Sequence, residues 1–145
     1  MSHPRHSARN AFTLVELVLA LAISGLVAAI GVRQTHRWLD RMGTRAAIAQ
    51  ATFAVHEARD AALAQHTAVT LRIDTVAGTV SLVARGTRLR LHALSHQHGV
   101  ALSATRDSIT FDVRGLGYGA ANTTLIARRG RAADTLVLSR LGRAR

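Results

Sequence analysis

The sequence predicts an α+β chain: a long N-terminal helix, membrane-spanning in its first half and amphipathic in its second, packed on an antiparallel β-sheet domain. Three observations predict it. Phe12 to Val32 is an apolar run of roughly the 20 residues that a helix needs to cross a bilayer. Apolar residues then recur at three- and four-residue spacing to about Gln65. From Ala68 the period changes to two, broken by turn residues.

Met1 to Ala11 is polar and basic, with His3, Arg5, His6 and Arg9, the only proline at Pro4, and no acid. Arginines resume beyond the apolar run at Arg33 and Arg37. A secretory signal peptide has an apolar region of about 7–15 residues leading to a small-residue cleavage site. Here the run is longer, Arg33-Gln-Thr-His-Arg37 follows it directly, and no Ala-x-Ala site stands at that junction. A plain transmembrane anchor fits the length but leaves Glu16 unexplained. A charged side chain inside an apolar helix costs about 2.5–3.5 kcal/mol on insertion scales and calls for a partner. A free amine made by cleavage just before Phe12 suits that role. Supplied by a neighbouring subunit, it would neutralise Glu16 within a helical assembly.

Past Val32 no proline interrupts the helix, and alanine, the best helix former, is abundant. Ile48, Ala51, Val55, Ala58 and Ala62 form the apolar stripe, with Arg41, Arg45, Thr52, His56 and Arg59 on another face. Strands are expected at Val69–Ile73, Val80–Val83, Arg88–Leu94, Val100–Ala104, Ser108–Val113, Thr123–Ala127 and Thr135–Arg140, with a turn signal at Asp74–Gly78. The expected segments are a leader at 1–11, a transmembrane helix at 12–32, its amphipathic continuation at 33–66, and a β-domain with a basic C-terminal tail at 67–145.

At 145 residues the chain suggests one domain with an appended segment. With no cysteine, a disulfide scaffold and a thiolate metal site are excluded. The formal charge is +11, and all 19 basic residues are arginine against 8 acids. Such a surplus suits anionic partners such as nucleic acid or anionic lipid, and equally a basic soluble surface. Aromatics at 3% argue against a single-strand binder built on stacked rings. Arg128, Arg129 and Arg131 fall in one expected turn, Arg128–Asp134, and Arg140, Arg143 and Arg145 at the chain end. Pairing of the strands around that turn would bring the groups together, opposed only by Asp134 after Asp112. Guanidinium groups grip phosphates bidentately. A solvated tail is the plainer reading.

Ala11-Phe12-Thr13-Leu14-Val15-Glu16-Leu17, after a basic leader, resembles the processing signal of type IV prepilins and type II secretion pseudopilins, with alanine at 11 where that family usually has glycine. The resemblance implies that prepilin peptidase cuts between Ala11 and Phe12 on the cytoplasmic side, that Phe12 is methylated, and that Glu16 is the assembly glutamate. The C-terminal half is similar to GspH/FimT-like minor pseudopilins in Ile109-Thr-Phe-Asp-Val-Arg-Gly115, with valine at 113 where proline is common. It is also similar in the closing Gly142-Arg143-Ala144-Arg145. A minor pseudopilin of a type II secretion or type IV pilus machine, acting in tip assembly, is implied. The alternative is a DNA-binding minor pilin of a competence pilus, contacting DNA through Arg128, Arg129, Arg131, Arg140, Gly142, Arg143 and Arg145. Other pilins or pseudopilins, prepilin peptidase and the bacterial inner membrane are the implied partners, with the β-domain periplasmic. Arg5 and Arg9 agree with a cytoplasmic leader, but Arg33, Arg37, Arg41 and Arg45 oppose the positive-inside bias, so orientation rests on the resemblance.

No catalytic residue, metal site or cofactor is expected. Gly115-Leu-Gly-Tyr-Gly119 precedes a strand-like segment rather than the helix a phosphate loop needs, and reads as a flexible loop. His92, His96 and His98 have no acid or cysteine near them in sequence to complete a metal site, and Ser95–Gly99 reads as a surface turn. No Gly-x-Ser-x-Gly elbow is present. The sequon at Asn122 means little beside a bacterial signal.

Overall fold

A computed structural model describes residues 13–118, 123–139 and 143. The chain forms two compact units, Met1–His36 and Arg37–Arg145. It has the predicted α+β architecture: a long helix, α1 (Leu14–Gln65), and an antiparallel β-sheet domain.

In the first unit α1 has its apolar side chains exposed from Leu14 to Val32, and it is long and apolar enough to cross a membrane. Thr13 begins it: its Oγ1 accepts the Glu16 backbone N–H at 3.2 Å. Thr13 and Glu16 thus stand at the Ser/Thr-x-x-Glu spacing of a capping box. The hydroxyls of Ser24 and Thr35 bond back to the carbonyls of Ala20 and Gly31, at 2.8 and 3.0 Å, so these polar groups need no partner outside the helix.

In the second unit α1 buries Thr44, Ala47, Ala51, Ala54, Val55, Ala58 and Ala62, a face at the spacing of an amphipathic helix. Five of the seven are alanine, which lets the helix axis approach the sheets closely. β1 (Val69–Asp74), β2 (Thr79–Ala84), β3 (Thr87–His92), β5 (Ser108–Phe111) and β6 (Gly117–Tyr118) form one sheet in the order β3-β2-β1-β5-β6. β4 (Ala101–Ala104), β7 (Thr123–Arg129) and β8 (Ala132–Leu138) form a second in the order β4-β7-β8. Every pairing is antiparallel. Inward positions alternate along the strands: Val69, Leu71 and Ile73, then Val80, Leu82 and Ala84, then Ile109 and Phe111, all buried in one core with the alanine face. Across β1 and β5, Thr70 and Thr110 pair in register and share a hydroxyl–hydroxyl bond of 3.0 Å on the other face.

Five expectations need correction. The third strand ends at His92 rather than Leu94, and Ser95–Gly99 is no simple turn: Leu94–His98 is a short helix, α2, that buries Leu94. Gly99 ends it by donating its N–H to the Ser95 carbonyl at 2.9 Å. The fifth strand stops at Phe111 rather than Val113, because the Asp112 carboxylate accepts the Arg114 and Leu116 N–H groups at 2.9 and 2.8 Å and turns the chain. Within the expected Gly115–Gly119 loop, Gly117–Tyr118 is a short strand paired to β5, while Gly119 lies outside the described residues. The Arg128–Asp134 turn shrinks to Gly130-Arg131, since the ladder continues to Arg129↔Ala132. Arg128 and Arg129 are therefore strand residues.

Glu57 on α1 binds Arg90 at 3.2 Å and His92 at 3.0 Å on β3. The Arg90 side chain is 69% exposed, so its pairing is a surface contact. Arg90→Ala is expected to change stability by less than about 0.5 kcal/mol, measured by thermal melting. A larger loss would show that Arg90 fastens β3 to the helix.

Candidate functional site

Of the residues expected at the processing site, Ala11 and Phe12 lie outside the described residues. Glu16 is exposed in the first turn of α1, beside the Thr13 cap.

Among the described residues, the candidate C-terminal arginines Arg128 and Arg129 do not share a face. Thr123, Leu125 and Ala127 are buried on the inner face of β7, and strand alternation puts Arg129 on that face and Arg128 on the opposite one. Arg129 is committed internally. Its Nε lies 3.3 Å from Asp40 Oδ1 on α1, and its Nη1 donates to the carbonyl of His98, at the end of α2, at 2.8 Å. Gly43 and Gly99 line its path, with Gly130 against Asp40. Arg129 thus ties α1, α2 and β7 together. Arg128 is exposed, as is Arg143, whose backbone carbonyl accepts the Ser139 N–H and whose N–H is donated to the Ser139 hydroxyl. Arg140, Gly142 and Arg145 lie outside the described residues.

Arg131, in the β7–β8 turn, borders a groove of about 360 Å³ that sequence reasoning did not anticipate. Its other walls are Arg41, Thr44 and Arg45 on α1 and Ala132, Ala133 and Asp134 on β8. Arg41 and Arg45 stand one helical turn apart on one face. That spacing was visible in the sequence, but its opposition to Arg131 depends on the fold.

Two of the three histidines have separate partners. His92 Nε2 pairs with Glu57, a partner far away in sequence, and His98 Nε2 lies 2.6 Å from Gln50 Oε1 on α1. Among the described residues no group of three metal-ligating side chains comes together.

A family profile described as the prokaryotic N-terminal methylation motif matches residues 6–32. Comparison with characterised protein sequences gave no match. Two crystal forms of the Pseudomonas aeruginosa type IV minor pilin FimU are similar in structure, each at 18% identity. One has a TM-score of 0.61 over 74% of this chain and 90% of that one; the other has 0.56 over 70% and 90%. Identity this low speaks to the fold, and the methylation motif speaks independently to the N-terminal segment. The chain therefore carries the prokaryotic N-terminal methylation motif at residues 6–32 and shares its fold with a type IV minor pilin.

Proposed function

We propose that the chain is a structural subunit rather than an enzyme: a minor pilin or pseudopilin of the GspH/FimT kind. It would be held in the bacterial inner membrane by α1, with its β-domain in the periplasm, and act with other pilins in the tip or assembly of a type IV pilus or type II secretion machine. The observation that carries this reading is the methylation motif at residues 6–32 running into an apolar helix and a minor-pilin fold. Prepilin peptidase would remove residues 1–11 and leave Phe12 as the methylated N-terminus.

The test is mass spectrometry of the membrane-extracted protein after expression with a prepilin peptidase. The expected mass is that of residues 12–145 plus one methyl group. A chain that still begins at Met1, or one cut after residue 32, would defeat the reading. For orientation, a phosphatase fused to the C-terminus should be active, and a stable but inactive fusion would count against a periplasmic β-domain.

A second reading, capture of DNA by a competence pilus, is favoured by Arg128, Arg131 and Arg143. All three are exposed, and among the described residues none is in a salt bridge. Arg129 drops out of this set because Asp40 and His98 hold it.

A further inference from the structure

We propose that the groove walled by Arg41, Arg45 and Arg131 is a phosphodiester-binding site that grips the backbone of duplex DNA. The proposal rests on the DNA reading of the basic surface and adds to it a site on α1, apart from the C-terminal tail. Arg41 and Arg45 form a like-charge pair at i and i+4, which costs a helix about 0.2–0.5 kcal/mol. The hairpin turn then brings a third guanidinium to the same groove. Three positive groups and the single carboxylate of Asp134 leave a surplus of two positive charges there. Among the described residues none of these four side chains is in a salt bridge. An anion would relieve the repulsion that the fold itself creates.

The lining narrows the class of ligand. It contains no aromatic ring, so bases have nothing to stack on. The Thr44 hydroxyl is already given to the Arg41 carbonyl at 3.0 Å, which leaves the guanidinium groups as the side-chain donors. Guanidinium forks suit phosphate oxygens and read no sequence. Lipid headgroups offer the same phosphate chemistry, but Arg33 and Arg37 stand between the apolar segment and the groove arginines in sequence and would engage lipid first.

The test is fluorescence anisotropy of a labelled DNA duplex with the full chain in neutral detergent, at about 50 and 200 mM salt. Arg41→Ala with Arg45→Ala should weaken binding about tenfold or more and flatten the log–log salt slope by roughly two, for all sequences alike. Asp134→Asn should tighten binding by up to about fivefold, because it removes one repulsive carboxylate. Thermal melting should be unchanged in the arginine variants, whose altered side chains are exposed. If Arg143→Ala weakens binding but the Arg41/Arg45 variant does not, the groove is wrong and the tail reading survives. If the unaltered chain shows no binding at low salt, both fall. Displacement of the duplex by dihexanoyl phosphatidylglycerol, with loss in Arg33→Ala/Arg37→Ala equal to that in the groove variant, would mark a lipid site and overturn the proposal.

Discussion

Arg129→Ala is expected to lower the stability of the Arg37–Arg145 unit by about 2 kcal/mol, a fall in melting temperature of roughly 8–10 °C for a domain of this size. The side chains of Arg129 and Asp40 are 37% and 27% exposed, between a surface pair and a buried one. Exposed pairs contribute about 0–1 kcal/mol, and breaking a buried one costs about 3–5 kcal/mol. Truncation also takes the donor from the His98 carbonyl and leaves a half-buried Asp40 carboxylate without its cation. Gly43→Ala should reach a comparable loss from the opposite direction. A Cβ there would sit 2.9 Å from Arg129 Nη1 and 2.9 Å from the His98 carbonyl oxygen, so the guanidinium or the end of α2 must shift. Asp40→Asn, which keeps a hydrogen-bond acceptor and removes the charge, should fall between Arg129→Ala and the unaltered chain. Melting followed by circular dichroism checks all three. A shift under about 2 °C for Arg129→Ala would reduce the clamp to a surface pair with no hold on α1.

That clamp marks where the sequence stops being legible. Period-two alternation made the strands readable because inward positions such as Val69, Leu71 and Ile73 are apolar while Thr70 and Arg72 are not. The alanine face of α1 was readable for the same reason at helical period. Arg129 continues the inward series of Leu125 and Ala127 as an arginine, so in sequence the apolar alternation stops at Ala127 although the strand runs on to Arg129. Asp40 and the His98 carbonyl, both distant in sequence, explain an inward guanidinium. α2 was hidden because five residues are too few for a helical period to show, and Ala93 caps it with no side-chain hydrogen bond. The signals that remained were the buried Leu94 and the terminating Gly99. The arginine groove was invisible for a related reason: α1 supplies two guanidiniums and the β7–β8 turn the third, and charge counting cannot register which arginines share a face. The Phe12–Glu16 signal, by contrast, is local in sequence and needs no fold to be read.

Glu16→Ala is expected to cut incorporation of the subunit into its filament at least about tenfold while leaving both membrane insertion and the fold of the β-domain intact. The carboxylate sits in the first turn of a helix whose apolar residues run on to Val32. In hydrocarbon it is unfavourable by about 2.5–3.5 kcal/mol, so its removal makes insertion easier rather than harder. Assembly should respond in the opposite direction. If the N-terminal amine of a neighbouring subunit neutralises Glu16, the variant leaves that amine as a desolvated, unpaired charge, and breaking a buried pair in this way costs about 3–5 kcal/mol. Thr13 supplies a competing account, because its hydroxyl caps the Glu16 N–H at 3.2 Å and the pair has capping-box spacing. Glu16→Gln separates the two, since glutamine can serve the box but carries no charge. Under charge pairing Glu16→Gln fails nearly as badly as Glu16→Ala; under capping it assembles normally. The measurement is recovery of each variant in sheared filaments, or by cross-linking to its neighbouring pilins, with the melting temperature of the β-domain as the control for folding. Full incorporation of Glu16→Ala would remove Glu16 from the assembly contact, and rescue by Glu16→Gln would assign it to the start of the helix.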